Sequence, residues 1–289
     1  SQHADRFSLR AGRSADSALM RSTTIMCLIV IGIWLTVALL APFIIGDGNS
    51  INLEKLFVEP SGESLFGHDD LGRDIGPRIL VGARVSCSIA FFVVAISVVV
   101  GTTIGIFLGW HGGLIDIIGV RILDVFLAFP GILLAIALAA VLGPGVENVL
   151  IALSVVGWVG FARLARAQTL SVKHRDHVLV AQALGTPLFK ICRIHILPLI
   201  AAPIIVEATF AIAAVIIAEA GLSFLGLGVQ PPTPSWGAMI KEGTRYLLIA
   251  PHMAIGPGLA LFSIVLSINT VGDSLRDHLQ IKRGAFQNL

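Results

Sequence analysis

The sequence predicts an all-α polytopic membrane protein with six transmembrane helices. Three observations carry that expectation. Of the 289 residues, 55% are hydrophobic and 13% charged, and the mean hydropathy is +0.89. Ordinary soluble domains carry roughly 25% charged residues, and a soluble fold of this size cannot hide so much apolar surface. Six runs are long and apolar enough to cross a bilayer, which takes about 20 residues: 24–45, 85–109, 115–142, 147–167, 199–225 and 253–275. Finally, the segments that join these runs differ sharply in their content of Lys and Arg.

The elements follow in order. Residues 1–23 form a polar tail with Arg6, Arg10, Arg13 and Arg21, without the apolar core of a signal peptide. The run 24–45 is expected to be a retained first span, since no A-x-A cleavage pattern follows it. Residues 46–84 hold seven acidic residues and precede a core, 85–275, with five further spans. Within the core, 168–198 is a basic loop and 226–252 is rich in Gly and Pro. Residues 276–289 are a second tail. Placing the N-terminus in the cytoplasm puts thirteen Lys and Arg on that side and six on the other, with Arg121 inside a span. Cytoplasmic loops are the positively charged ones, so both termini are expected inside.

Several function classes drop out. A net charge of +2 gives no basis for nucleic-acid binding. Cys27, Cys87 and Cys192 are scattered and make neither a disulfide framework nor a zinc site. The histidines lack metal-ligand spacing. There is no phosphate-binding Gly-rich loop ending in Gly-Lys-Ser/Thr, no Gly-x-Ser-x-Gly elbow and no His-Glu-x-x-His. The chain is expected to be non-catalytic and to hold no cofactor of its own.

Charges near or within the spans are the site candidates. Asp69, Asp70, Arg73 and Asp74 precede the second span; they read either as an outer gate or a surface for a binding protein, or as a helix cap with a structural salt bridge. Arg121 and Asp124 are three residues apart and can pair on one helix face, either to orient helices or to serve a pathway; Asp116 lies nearby. Glu207 and Glu219 fall about 120° apart around the fifth span. Either can face a wet pathway or bond to a neighbouring helix.

The 168–198 loop reads as two short helices. Asp176 is placed to cap the first, over 177–184, and Gly185 to end it. Thr186 is placed to cap a second that opens on Pro187 and runs to about His195, with Pro198 starting the next span. The first is too apolar to sit bare in water. Periodicity leaves two settings open, the headgroup layer and a groove on another protein.

The order Val180-Ala181-Gln182-Ala183-Leu184-Gly185, nine residues, His195-Ile196-Leu197-Pro198 resembles the EAA loop of bacterial ABC importer permeases. That motif reads E-A-A, three residues, G, nine residues, I-x-L-P. Ala181, Gly185, Leu197 and Pro198 match, whereas Leu179 replaces the Glu and His195 the Ile. Phe66-Gly67-His68-Asp69-Asp70-Leu71-Gly72-Arg73-Asp74 and Gly82-Ala83-Arg84-Val85-Ser86 look like signatures of the dipeptide/oligopeptide/nickel permease family. The run 222–237, Leu-Ser-Phe-Leu-Gly-Leu-Gly-Val-Gln-Pro-Pro-Thr-Pro-Ser-Trp-Gly, closely resembles that of its second, C-type subunit, and Asn269, Gly272-Asp273 and Leu275-Arg276-Asp277 resemble its ending.

The resemblance implies a type I ABC importer permease of the bacterial inner membrane. Its partners would be a second permease subunit, two cytoplasmic ATPases that bind ATP and Mg2+, and an extracytoplasmic solute-binding protein. Asp176, Val180, Ala181, Ala183, Leu184, Gly185, Leu197 and Pro198 would couple to an ATPase. Asp69, Asp70, Arg73, Asp74, Glu207, Glu219, Ser223 and Trp236 are candidates for pathway or gate, and Glu207 or Glu219 could receive a peptide's amino group. The cargo implied is di- or oligopeptide, with nickel chelates or glutathione as alternatives. A secondary transporter would predict inverted repeats and a membrane-embedded enzyme a nucleophile or metal cluster; neither feature is visible.

Overall fold

The computed structural model describes residues 2–45 and 48–287. The side chains of 1–21, Pro42 and 280–289 lie outside the description, among them Arg6, Arg10, Arg13, Arg21, Lys282 and Arg283 of the charge count. The described chain is helical, and its only strand-like pairing is a bridge between His68 and Asp74.

The helices are α1 (Gln2–Ile44), α2 (Ile75–His111), α3 (Gly113–Leu127), α4 (Gly131–Leu142), α5 (Val146–Val172), α6 (Asp176–Ala183), α7 (Leu188–Ile191), α8 (Leu197–Leu225), α9 (Trp236–Thr244) and α10 (His252–Gln287). Five segments are long and apolar enough to span a membrane: Ser22–Ala41, Ile75–His111, Val146–Val172, Leu188–Leu225 and His252–Leu279.

The single span expected over 115–142 is instead the pair α3 and α4, bent by 80°. Pro130 causes the break: it has no N–H for a helix hydrogen bond and its ring clashes with the preceding turn. It becomes the N-cap of α4, at ψ 122°. The pair still joins the two ends of the bundle. Near one end Asp116 of α3 meets Arg166 of α5; at the other the Gly145 N–H donates to the Leu227 carbonyl.

Two further boundaries move. Helix α2 begins ten residues before 85, because Asp74 caps it: its carboxylate accepts from the Gly76 N–H at 3.0 Å. The second loop helix is four residues long and runs through a π-helical segment, Cys192–Ile196, into α8, making one apolar rod over Leu188–Leu225.

The most extensive helix contact is between α2 and α5. Ser97, Gly101, Gly105 and Gly109 recur every fourth residue along α2. They face the Gly157, Ala162, Ala165 and Thr169 region of α5. Without an aqueous driving force between helices, such small-residue stripes let backbones approach and gain dispersion contacts. Helices α8 and α10 complete the core. The segment 48–74 and α9 cap one end, and α6 and α7 occupy the other.

Candidate functional site

At one end, α6 hangs below α5 on a three-residue turn. Val178 and Ala181 are buried, tucked against Ile191 and Ile196. Leu179, Val180 and Leu184 point outward, 44%, 57% and 79% exposed, as do Ala183 and Phe189. Gly185 ends the helix at φ +73°, and the Thr186 N–H donates to the Ala181 carbonyl at 3.1 Å, closing the left-handed C-cap that glycine favours. Asp176 does not cap the helix. Arg175 is the N-cap residue and makes no side-chain bond, while Asp176 is the first helical residue. Pro187, not Thr186, is the N-cap of α7. Leu197 and Pro198 open α8 and are exposed.

At the opposite end, Asp69 is 1% exposed and binds two guanidinium groups. Its Oδ2 accepts from Arg73 Nε at 2.7 Å and from Arg78 Nη1; its Oδ1 accepts from the Leu71 and Arg73 N–H groups, both at 2.9 Å. Glu242 of α9 approaches Arg73 at 3.5 Å and Arg78 at 3.4 Å, and Asp70 lies 3.6 Å from Arg73. This cluster fastens the segment before α2, the first turns of α2 and α9 to one another. Neither Arg78 nor Glu242 is marked as a site residue by sequence spacing. Arg78 follows Asp69 by nine residues, but Glu242 comes from 164 residues on, which no local spacing reveals.

Glu219 is fully buried near the end of α8. It accepts from Ser86 Oγ of α2 at 2.8 Å and from Ser223 Oγ at 2.8 Å, and Ser235 adds a third hydroxyl. The Val229 N–H donates to Ser223 Oγ at 3.2 Å, and Trp236 Nε1 donates to the Ile79 carbonyl at 3.0 Å. Glu219 therefore ties α2, α8 and the 226–235 turn together, and in this chain it lines no open cavity. Trp236, also fully buried, packs edge-on against Trp34 with ring centroids 5.1 Å apart. We expect Glu219→Leu, which strips the acceptor from these buried hydroxyls, to cost about 1–3 kcal/mol. Glu219→Gln, which keeps one acceptor oxygen, should stay within about 1 kcal/mol. Thermal unfolding of the two purified variants checks the difference.

The pair expected of Arg121 and Asp124 is not made: both are exposed and no ion pair joins them. The pair that does form is Asp116 with Arg166, through Arg166 Nε at 2.5 Å and Nη2 at 2.6 Å, a bidentate link between α3 and α5. Glu207 is exposed and lines a cavity with Arg276, distinct from the surroundings of Glu219. Among the described residues no group of three or more His, Cys, Asp or Glu side chains could hold a metal.

Residues 101–283 match the family of "Binding-protein-dependent transport system inner membrane component" proteins. The chain belongs to this family. The permease is 41% identical over 259 residues to the dipeptide transport system permease protein DppC of Alkalihalophilus pseudofirmus, covering 89% of this chain and 85% of that one. It is 43% identical over 273 residues to the glutathione transport system permease protein GsiD of Escherichia coli O1:K1, covering 94% and 89%. The Pectobacterium atrosepticum GsiD is 44% identical over 234 residues, covering 81% and 78%. A chain of the MetNI methionine ABC transporter in an inward facing conformation superposes with a TM-score of 0.56 at 18% identity, covering 69% of the permease and 95% of that chain. That likeness bears on the fold alone, the all-helical type I importer permease arrangement.

Proposed function

We propose that this permease is one of two different transmembrane subunits of an ATP-driven, binding-protein-dependent importer of small peptides. It forms half of the translocation pathway and catalyses nothing itself. The observation that carries the reading is α6: a short helix with two side chains sunk into the bundle and a row of apolar ones left bare beyond the spans. Exposed apolar rows of this kind fit a groove on a partner, and α6 is joined to α5 by a three-residue turn and packs on the rod that continues into α8.

In the mechanism, two partner ATPases bind ATP with Mg2+ and close, each gripping one permease through the surface of Leu179, Val180, Leu184 and Phe189. Because Val178 and Ala181 of α6 are buried against the 188–196 segment that runs straight into α8, its displacement tilts that helix rather than bending the loop. The pathway opens alternately to the binding protein outside and to the cytoplasm. Both tails, α6 and α7 lie on the cytoplasmic side, and the cap of 48–74 and α9 meets the binding protein. Relatives named for dipeptide and glutathione transport favour a small peptide over a nickel chelate as cargo.

The test is assembly and cross-linking. The permease should purify with a second permease and two ATPases, and loaded binding protein should raise the complex's ATP hydrolysis. In a background without the three native cysteines, Leu184→Cys should cross-link to a cysteine in the ATPase groove. Labelling of position 184 only from outside the cell, or transport by the permease alone, would falsify this reading.

A further inference from the structure

A cavity of about 390 Å³ opens between α5, α8 and α10, and the coupling surface does not use it. Small-molecule sites run from roughly 300 to 1,000 Å³. Its walls are Leu164, Val206, Phe210 and Leu279, and it carries two charges of opposite sign, Glu207 on α8 and Arg276 on α10. The two do not pair with each other, and neither joins any ion pair among the described residues. Glu207 lies ten residues into α8 from Leu197, about 15 Å along the helix at 1.5 Å per residue, well inside the span. Charged side chains at such depth are costly; they face water-filled cavities and mark substrate pathways. The carboxylates of Asp69, Asp116 and Glu219, by contrast, are satisfied within the chain. Glu207 and Arg276 face one cavity and have no such partner among the described residues.

An apolar cavity with one anion and one cation, held apart, is complementary to a zwitterion. We propose that this cavity is a transit subsite for short zwitterionic peptides. Glu207 receives the N-terminal ammonium, Arg276 receives the C-terminal carboxylate as a bidentate partner, and Leu164 and Phe210 accommodate side chains. The subsite rests on the importer reading above and adds to it a point of contact within the membrane for both ends of the cargo. Side-chain-independent recognition of the two termini suits a pathway that must pass many sequences.

The experiment uses the whole complex in nanodiscs, without binding protein or nucleotide, and measures equilibrium binding of radiolabelled Ala-Phe, N-acetyl-Ala-Phe and Ala-Phe amide. ATP hydrolysis stimulated by loaded binding protein is read on the same preparation, so failure of the importer reading shows there separately. Wild type should bind Ala-Phe saturably and each blocked peptide at least ten-fold more weakly. Glu207→Gln should weaken Ala-Phe ten-fold and leave N-acetyl-Ala-Phe unchanged; Arg276→Gln should do the same with respect to the amide. Glu207→Asp and Arg276→Lys should bind within a few-fold of wild type, which separates loss of charge from loss of folding. No saturable binding to wild type, equal binding by the charge-removing variants, or equal loss of all three peptides overturns the proposal. So does phosphatidylethanolamine that co-purifies with wild type, is lost in Glu207→Gln and blocks Ala-Phe, since that assigns the cavity to a lipid headgroup.

Discussion

Gly105→Val is expected to force α2 and α5 apart and to lower the thermal unfolding midpoint of the purified permease. A Cβ at 105 would fall 2.7 Å from the Ala165 Cβ and 2.9 Å from the Arg166 N, and closer still to the Ala162 carbonyl. Two of those three neighbours are backbone, so no rotamer change relieves them and the helices themselves must move. Overpacking a well-packed site costs roughly 1–3 kcal/mol, and this site belongs at the upper end. Gly101 is equally tight against Trp158 and Phe161, so Gly101→Val should behave alike. Gly160, in the same helix pair but with nothing within 4 Å of its would-be Cβ, is the control. Gly160→Ala should be neutral or stabilise by up to about 1 kcal/mol, the conformational freedom glycine gives up in a helix. If α5 carries the coupling movement, Gly105→Val should also reduce ATP hydrolysis stimulated by binding protein in complexes that still assemble. Unchanged unfolding in Gly105→Val together with a loss in Gly160→Ala would contradict the close-packed seam.

The spans were legible because lipid imposes one requirement, length in apolar residues, that composition alone displays. What hydropathy could not show was where local chemistry cuts a run. Pro130 interrupts 115–142, yet apolar residues on both sides keep the average high. Conversely, Arg78 and Arg84 depress the hydropathy of 75–84, although Asp74 caps a helix there and Asp69 neutralises Arg78 inside the fold. The Ser97, Gly101, Gly105, Gly109 stripe was present as a repeat of four and went unread, since glycine signals turns as often as close packing. Helix α9 also had a signal, Ser235 as an N-cap whose Oγ accepts from the Ala238 N–H at 3.3 Å, hidden behind three prolines. Charge pairing was the least legible level. Spacing of three favoured Arg121 with Asp124, but both point outward. Asp116 instead reaches Arg166, fifty residues away, a partner that only packing of α3 on α5 selects. Helix periodicity ranks neighbours on one helix and is silent about neighbours across two.

Asp69→Asn is expected to unfasten the cap that closes the other end of the bundle. Aspartate does two tasks there with its two oxygens: Oδ1 takes two backbone N–H groups of the turn, and Oδ2 takes two guanidinium groups. An asparagine can do only one of them. With its carbonyl toward the backbone, its NH2 meets Arg73 and Arg78, donor against donor; reversed, it turns the NH2 on the N–H groups of Leu71 and Arg73. In either orientation the negative charge is gone, and the carboxylates remaining near Arg73 and Arg78, 5% and 3% exposed, are Glu242 and Asp70 at 3.4–3.6 Å. Removing one partner of a buried pair costs about 3–5 kcal/mol, because the remaining charge stays buried without compensation. The exposed pair Lys55 with Glu63, 3.8 Å apart and 43% and 88% exposed, sets the contrast: Glu63→Gln should cost below about 1 kcal/mol. Thermal unfolding followed by tryptophan fluorescence reads both, since Trp236 opens α9 against α2 and its ring packs edge-on against Trp34. Limited proteolysis of 48–74 should speed up in Asp69→Asn and stay unchanged in Glu63→Gln. Equal stability of the two variants would mean that hydrophobic contacts, those of Trp236, Met239 and Met253 with α2, hold the cap without the ions. The double variant Arg78→Met with Asp69→Asn distinguishes the causes further. If buried charge left uncompensated is what destabilises, removing one of the two guanidinium groups as well should recover part of the loss rather than add to it.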